Sequence, residues 1–406
     1  MYSLAIYLYA LGAKLFALRN RKARLLVRGQ RETWKILRER IDSRSHYIWF
    51  HAASLGEFEQ GRPLIERLRR EQPDKKILLT FFSPSGYEVR KNYECADIVC
   101  YLPFDTPGNA RRFVRLARIE KAFLIKYEFW CNYIDMLHKK GIPVYSISSI
   151  FRTDQIFFRP YGRNYARCLR RITHFFVQNE ISARLLNHLG IESTTVAGDT
   201  RFDRVLDIMH AARPLPEVER FASDGAVIVA GSTWAPDEDL LIAYFNAHPG
   251  LKLILAPHVV SERHVEEIEG KLTRRAVRYS SIGSADIAQA DCLIIDCYGL
   301  LSSIYRYATA AYVGGGFGAG LHNVPEAAVY GCPVLVGPNN RKFREARALI
   351  DCGGCFEIRS QADVDATLDR LLSDPAALRA AGTAAAGYIR ANAGATGLIY
   401  DRTLRP

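Results

Sequence analysis

Short apolar, β-branched or aromatic runs alternate with helix-type patterns from residue 46 to the end of the chain. A rhythm of strand, helix and strand predicts a parallel sheet that is covered by helices on both faces. The strands predicted in the first half of the chain are Tyr47–His51, Ile77–Phe82, Ile98–Leu102, Ala122–Lys126, Val144–Ile147, His174–Gln178 and Thr194–Ala197.

The pattern stops at the breaker Ala212-Arg-Pro-Leu-Pro216 and then starts again. We therefore predict an α/β protein with two doubly wound domains, over residues 32–211 and 217–406, joined by a linker over 212–216. The last helix is free to pack back on the first domain. Paired domains of this type bind ligands in the crevice between them, just after the strands. The strands predicted in the second half are Ala226–Ala230, Lys252–Ala256, Cys292–Asp296, Ala310–Val313 and Pro333–Val336.

Residues 1–31 form a membrane-associating segment. Residues 1–18 are apolar apart from Lys14, and a basic band follows them. A cleaved signal peptide has the opposite order, so we reject this interpretation. Two membrane arrangements remain open, a short helix that spans the bilayer and a helix that lies on an anionic leaflet. An ordinary first helix packed on its own domain is the third possibility. The basic band consists of Arg19, Arg21, Lys22, Arg24, Arg28 and Arg31.

The excess of positive charge indicates an anionic partner. Lys and Arg number 55 against 43 Asp and Glu, which gives a net charge of +12. Such a charge suits a lipid surface, a phosphorylated substrate or nucleic acid. The first 44 residues supply eight of these charges, and the sequence has no nucleic-acid-binding motif, so we predict no nucleic acid partner.

The nine cysteines are spread through apolar segments and do not form a disulfide framework. Their odd number favours a reducing compartment. Cys352-Gly-Gly-Cys355 has the spacing of a zinc or redox pair, but no second pair and no nearby histidine complete a metal-binding set. We therefore predict no metal site.

Two acidic residues follow predicted strands of the first domain. Glu57 ends the segment His51-Ala-Ala-Ser-Leu-Gly-Glu57, where small residues and free helix N–H groups can receive an anionic ligand. A helix N-terminus lowers the pKa of a carboxyl group, so Glu57 can act as a general base only if burial raises that pKa again. Otherwise Glu57 is a first-turn helix charge. Glu128, in Lys126-Tyr-Glu-Phe-Trp130, would face the same crevice, although so dense an aromatic cluster also fits the core.

The turn at Gly231–Thr233 ends the first strand of the second domain. It offers backbone N–H groups and two hydroxyl groups to a phosphate, although the three residues alone are a weak signal.

A glycine-rich segment from Val313 to Glu326 is more informative. It combines a strand end, a glycine run, the pair His322 and Asn323, and a helix whose first turn carries Glu326. A carboxylate at this place can accept hydrogen bonds from ribose hydroxyls, whereas His322 also fits a structural role. The spacing is not the dinucleotide fingerprint, because residue 319 is Ala, and it is not a P-loop, because no Gly-Lys-Ser/Thr follows.

Taken together, these segments resemble the 3-deoxy-D-manno-octulosonic acid (Kdo) transferase family of lipopolysaccharide assembly. The resemblance covers nearly the whole chain and is most specific at residues 51–57 and 322–338. The chain has Pro257-His258-Val259 where the family has Pro-Arg-His, and Gly198-Asp199-Thr200-Arg201 where the family has Gly-Asn-x-Lys. The matching motifs are His-Ala-x-Ser-x-Gly-Glu at 51–57, Gly-Asp-Thr-Arg-Phe-Asp at 198–203, Gly-Ser-Thr at 231–233, and Gly-Gly…His-Asn-x-x-Glu…Gly-x-Pro-Val…Gly-Pro at 315–338.

The resemblance implies a GT-B glycosyltransferase, with two Rossmann-like domains that face a central cleft and with no metal or other cofactor. It also implies that Glu57 is the general base and that Glu128 is a second acidic residue required in the same pocket. The implied donor-binding residues are Ser232, Thr233, His258, Gly315, Gly316, Phe317, His322, Asn323 and Glu326. The implied acceptor-binding residues are Ser54, Gly56 and Arg201.

The resemblance further implies an inverting transfer of Kdo from CMP-Kdo to a hydroxyl group of a lipid A precursor. The enzyme would work at the cytoplasmic face of the inner membrane, held on the anionic membrane surface by residues 1–31. Two other interpretations stay open. A GT-B enzyme that uses a UDP-sugar, either a transferase or a 2-epimerase, would share the fold. A bilobal binding protein would need neither Glu57 nor an anchor.

Overall fold

Two parallel sheets of seven strands each organise the chain in the computed structural model, which describes residues 2–159, 162–283, 287–318 and 320–405. The sheets lie in separate compact units. Unit 1 consists of Met1–Arg204 together with Ala393–Pro406, and unit 2 consists of Val205–Asn392. This architecture confirms the predicted α/β fold class with two doubly wound domains.

Unit 1 contains the sheet with strand order β3-β2-β1-β4-β5-β6-β7. Its strands are β1 (Tyr47–Ala52), β2 (Lys76–Phe81), β3 (Ile98–Tyr101), β4 (Ile119–Ile125), β5 (Val144–Ser149), β6 (His174–Val177) and β7 (Thr194–Val196). Its helices are α1 (Tyr2–Phe16), α2 (Arg21–Arg40), α3 (Leu55–Glu71), α4 (Pro84–Arg90), α5 (Pro107–Ala117), α6 (Cys131–Lys139), α7 (Arg163–Leu169) and α8 (Glu180–His188), with α9 (Thr200–Ala211) running on into unit 2.

Unit 2 contains the sheet with strand order β10-β11-β9-β8-β12-β13-β14. Its strands are β8 (Val227–Thr233), β9 (Lys252–Pro257), β10 (Ala276–Arg278), β11 (Cys292–Ile294), β12 (Ala310–Val313), β13 (Val334–Val336) and β14 (Cys355–Glu357). Its helices are α10 (Pro216–Phe221), α11 (Ala235–Ala247), α12 (Glu262–Glu269), α13 (Leu301–Ile304), α14 (Val324–Ala328), α15 (Arg344–Asp351), α16 (Gln361–Ser373) and α17 (Pro375–Asn392).

The division between the units lies upstream of the predicted linker. It falls after Arg204, inside α9, so residues 212–216 belong to unit 2. The last helix, α18 (Ala395–Thr403), returns to unit 1. There Ile399 and Tyr400 are buried in the same hydrophobic core as Phe50.

The central strand β1 is buried at all six positions, as expected for a parallel sheet that is covered on both faces. Because side chains alternate along a strand, Tyr47 and Trp49 belong to one core and Ile48 and Phe50 belong to the other. The indole N–H of Trp49 donates to Thr80 Oγ1 at 2.8 Å. The end of β1 is therefore a fixed platform for the residues that follow it.

Helix α1 packs one face against unit 1 and leaves the other face bare. Ile6 and Ala10 are buried in a small cluster with Tyr101 and Phe104. No helix within the described ranges is long and apolar enough to cross a membrane. The large apolar side chains on the bare face of α1 and in the turn after it are 48% to 75% exposed. They are Leu4, Tyr7, Leu8, Tyr9, Leu11, Leu15, Phe16 and Leu18.

Candidate active site

Glu57 lies in the first turn of α3, directly after β1. Ser54 is the N-cap residue, and its side chain forms no capping hydrogen bond with the described residues. Instead, Glu57 Oε2 accepts a hydrogen bond from the backbone N–H of Ala53 at 2.6 Å. Gly56 is exposed, and no described atom lies within 4 Å of the place that a Cβ would occupy there. The backbone of this turn is therefore open to a ligand.

Burial, together with the nearby Glu128 carboxylate, raises the pKa of Glu57 from 4.5 to about 7. The N–H of Ala53 and the ammonium group of Lys126 act in the opposite direction but do not cancel the rise. Desolvation therefore overcomes the effect of the helix N-terminus. A carboxyl group that titrates near neutral pH is suited to accept a proton from a substrate hydroxyl.

Glu128 lies in the loop after β4, and its side chain is 13% exposed. The indole N–H of Trp130 donates to Glu128 Oε2 at 2.8 Å, and His51 Nε2 lies 3.2 Å from the same oxygen. Lys126, which begins this loop, has a φ of +65°. Residues with a Cβ rarely adopt this conformation, and such strain is concentrated at functional sites.

An aromatic bridge, formed by Tyr9, Phe82 and Trp130, joins the bare face of α1 to the Glu128 pocket. The ring centroids of Tyr9 and Phe82 are 6.3 Å apart, and those of Phe82 and Trp130 are 4.9 Å apart. Burial and the Glu128 carboxylate both raise the pKa of the Tyr9 hydroxyl. Helix α1 therefore forms part of the wall beside the carboxylates.

Arg201 is tied to α3 through a buried carboxylate. Its guanidinium donates to Asp199 Oδ2 from Nε at 3.0 Å and from a terminal nitrogen at 2.8 Å. Gln60 Nε2, on the same helix as Glu57, lies 3.2 Å from both oxygens of Asp199. The three predicted acceptor-binding residues, Ser54, Gly56 and Arg201, thus share unit 1 with Glu57 and Glu128.

The predicted donor-binding residues lie in unit 2, beginning with the turn at the end of β8. Ser232 has a φ of +54°, a second strained residue at the carboxyl end of a strand. The Thr233 hydroxyl donates to Glu238 Oε1 at 3.0 Å, and His264 Nε2 lies 3.0 Å from the same oxygen. The hydroxyl hydrogen of Thr233 is therefore already used within unit 2. The backbone N–H groups of the turn and the Ser232 hydroxyl remain for an anion.

The glycine-rich segment after β12 packs backbone against backbone. Gly315 has a φ of +90°, and its N–H donates to Asp237 Oδ2 at 3.0 Å. A Cβ on Gly316 would lie 2.6 Å from the nitrogen and Cα of Gly337. Glycine is required at these positions because another backbone occupies the space of a side chain.

Three aromatic rings form a stack beside this segment. The centroid of His258 is 4.7 Å from Trp234 and 4.5 Å from His322. Burial and the neighbouring His258 lower the pKa of His322. His322 is thus a neutral ring at neutral pH, in a position to contact a ligand without adding charge.

The remaining predicted donor residues have partners of their own. Asn323 Nδ2 donates to Glu326 Oε1 at 2.7 Å, which orients the carboxylate in the first turn of α14. Phe317 packs against the hydrophobic core of unit 2. Ala319, which excluded the dinucleotide fingerprint, lies outside the described residues.

Two buried carboxylates beneath the donor-binding turn were not predicted. Asp237 also accepts the N–H of Trp234 at 2.9 Å, so it links the start of α11 to Gly315. Glu238 is fully buried and holds Thr233. In the sequence these two residues look like ordinary acids in the first turn of a helix, because their partners lie as far as 78 positions away.

Comparison with known families places the first part of the chain. Residues 26–204 match the family model described as 3-deoxy-D-manno-octulosonic-acid transferase (kdotransferase). The chain is 28% identical over 377 residues to the 3-deoxy-D-manno-octulosonic acid transferase of Bordetella pertussis, covering 87% of this chain and 86% of that protein. It is 26% identical over 338 residues to the enzyme of the same name from Aquifex aeolicus, covering 80% and 86%.

Solved structures support the fold. The UDP-GlcNAc 2-epimerase from Neisseria meningitidis bound to UDP-GlcNAc aligns over 89% of this chain and all of that one, with a TM-score of 0.62 and 14% identity. The S. aureus MnaA-UDP co-structure aligns over 89% of this chain and 98% of that one, with a TM-score of 0.55 and 15% identity. At this identity the likeness concerns the fold alone, which is a two-domain GT-B-like fold.

Proposed function

Because the chain belongs to the 3-deoxy-D-manno-octulosonic acid transferase family, we propose that it transfers Kdo from CMP-Kdo to a hydroxyl group of a lipid A precursor. The observation that carries the proposal is Glu57, a carboxyl group at the end of β1 with a pKa of about 7. A simple sugar-binding protein has no need of a carboxyl group adjusted in this way.

In the proposed reaction, Glu57 takes the proton of the acceptor hydroxyl as its oxygen attacks the anomeric carbon of Kdo. The bond between this carbon and the phosphate oxygen of CMP breaks, and CMP leaves with the electron pair. A single displacement inverts the anomeric centre and needs no covalent enzyme intermediate. The turn at Gly231–Thr233 and the glycine-rich segment would hold the departing phosphate.

The bare face of α1 supports a lipid acceptor. Eight large apolar side chains of α1 and the turn after it face outward, and an exposed apolar patch of this kind fits a membrane or lipid contact. Arg24 donates to the carbonyl oxygens of Ala17 and Leu18 at 3.2 and 3.1 Å, so the basic band is joined to the end of α1. The aromatic bridge leads from this face to Glu128. A lipid acceptor could keep its acyl chains in the membrane while its sugar reached Glu57, and we propose the cytoplasmic face of the inner membrane as the location.

The reaction is tested by measuring CMP release from CMP-Kdo by the protein in detergent, with and without a lipid A precursor. We expect release that depends on the acceptor, together with a gain in the mass of the lipid that corresponds to added Kdo. Folded protein that leaves CMP-Kdo intact but turns over a UDP-sugar would contradict the proposal and favour the second GT-B interpretation.

Membrane attachment is tested by replacing Leu4, Leu8, Leu11 and Leu15 with serine. These side chains are 55% to 63% exposed and lie on one face of α1. Since each leucine that enters a membrane interface contributes about 1 kcal/mol or more, we expect binding to phosphatidylglycerol vesicles to fall by about 100-fold or more. Vesicle sedimentation measures this binding.

The matched control replaces Val89 and Ile181 with serine, because both are exposed apolar residues of unit 1 away from α1. The control is expected to bind vesicles as the unchanged protein does. Equal binding by the α1 variant would show that this face does not contact the membrane.

A further inference from the structure

His51 is a fully buried side chain near the end of β1 that the reaction above does not use. Its Nδ1 lies 3.1 Å from the carbonyl oxygen of Thr80 and 2.9 Å from the hydroxyl oxygen of the same residue. A carbonyl oxygen can only accept a hydrogen bond, so Nδ1 carries a proton. The ring is thereby fixed to β2, the neighbouring strand.

The other ring nitrogen of His51 faces two groups of opposite kind. Nε2 lies 3.2 Å from Glu128 Oε2 and 3.1 Å from the indole nitrogen of Trp130. The indole N–H can only donate, and its shorter contact is the 2.8 Å hydrogen bond to Glu128. Without a proton, Nε2 would set a lone pair against a carboxylate oxygen. With a proton, it forms a charge-assisted hydrogen bond to Glu128.

We propose that His51 is a positioning residue, which as an imidazolium held by Thr80 orients the Glu128 carboxylate and compensates its charge beside Glu57. The proposal rests on the proposed transfer reaction, in which Glu57 accepts the proton. His51 touches neither substrate in this account and acts only through Glu128.

The charged and titratable groups around the two carboxylates give the direction of the effect. Glu128 is faced by Tyr9 from α1, His51 from β1 and Glu57 from α3, and the charge of Lys126 acts on Glu57. The Glu128 charge raises the pKa of Glu57. If the imidazolium is removed, this charge is no longer compensated, and the pKa of Glu57 rises further.

Two variants separate charge from orientation. In His51→Gln, the amide nitrogen can replace Nε2 as a neutral donor to Glu128. In His51→Asn, the shorter amide can reach Thr80 but not Glu128. We expect His51→Gln to move the acid limb of the kcat profile upward by about one pH unit. We expect His51→Asn to lower kcat by about tenfold or more, with little change in KM for CMP-Kdo.

His174→Gln is the matched control, because His174 lies on β6 of the same sheet and its Nε2 contacts Thr195 Oγ1 at 2.9 Å. It is expected to keep the parent pH profile. Trp130→Phe removes the indole donor but keeps an aromatic ring, so it should move the acid limb in the same direction as His51→Gln even if that variant folds poorly.

A titration of the Glu57 carboxyl carbon by NMR, with no substrate present, separates this proposal from the proposed function. A midpoint near 7 that rises in His51→Gln and in Trp130→Phe supports the positioning role, whatever sugar nucleotide the enzyme uses. An unchanged midpoint and an unchanged acid limb in folded variants would overturn it. Absence of turnover from CMP-Kdo by the parent protein, with the midpoint still moving, would overturn only the proposed reaction.

Discussion

Replacement of Glu57 by glutamine is expected to lower Kdo transfer by about 10²- to 10⁴-fold, the range typical for the loss of a general base. The amide has nearly the shape of the carboxylate, and its oxygen can still accept the N–H of Ala53, which now donates to Glu57 at 2.6 Å. Binding of CMP-Kdo should change little, because the predicted donor-binding residues lie in unit 2. The expected pattern is therefore a large loss of kcat with a nearly constant KM for the donor.

The pH dependence follows from the direction in which the pKa of Glu57 is displaced. The base is active when deprotonated, and its pKa is about 7. Activity should therefore rise about tenfold per pH unit below 7 and level off above it. Folded protein also holds this proton more tightly than unfolded protein does, since the usual pKa is 4.5. The free energy of unfolding should thus fall as pH rises from 4.5 to 7, and Glu57→Gln should lose this part of the decrease.

Glu59→Gln is the control on the same helix, because the Glu59 carboxylate faces away into ion pairs with Arg62 and Arg90. It should retain near-parent activity. Assignment of the base to Glu57 would be wrong if Glu57→Gln, folded and binding donor, kept more than about a tenth of the parent kcat.

Replacement of Gly316 by alanine is expected to damage both stability and donor binding. A methyl group at this position would lie 2.6 Å from two backbone atoms of Gly337, and the backbone cannot move aside as a side chain can. The N–H of Asn339 also donates to the carbonyl oxygen of Gly316 at 2.8 Å, so the two loops are fixed to each other. Overpacking of this kind costs about 1–3 kcal/mol of unfolding free energy. Affinity for CMP should fall by about tenfold or more.

Gly318→Ala provides the comparison, since no described atom lies within 4 Å of the place its Cβ would take. Thermal denaturation and calorimetric titration with CMP measure the two effects. If Gly316→Ala and Gly318→Ala gave equal melting temperatures and equal CMP affinities, close packing of the two loops would not be the reason for glycine at 316.

The fold could be predicted because buried parallel strands leave a strong pattern. All six residues of β1 are buried, and such a strand appears in the sequence as an uninterrupted apolar run. The edge strands β10 and β14 have three residues each and were not predicted. Three residues carry no measurable periodicity, and only pairing with a neighbouring strand makes them strands.

The site was predictable where chemistry is local and not where it depends on distant partners. Glu57 and Glu128 could be identified because each directly follows a strand. His51 was visible in the same motif as Glu57, but its contact with Glu128 joins residues 77 positions apart. The pKa of Glu57 depends on the balance between desolvation and a helix end, which only the packed structure determines.

The return of α18 to unit 1 has a consequence for the order in which the protein forms on the ribosome. The amide of Gln72 donates to the hydroxyl of Tyr400 at 2.8 Å, a contact that closes across 328 positions. Ile399 and Leu404 complete a core that contains strands made near the start of translation. Unit 2 can finish folding as soon as α17 has emerged. Unit 1 must wait, partly open, until translation ends, so the half that is synthesised first becomes native last.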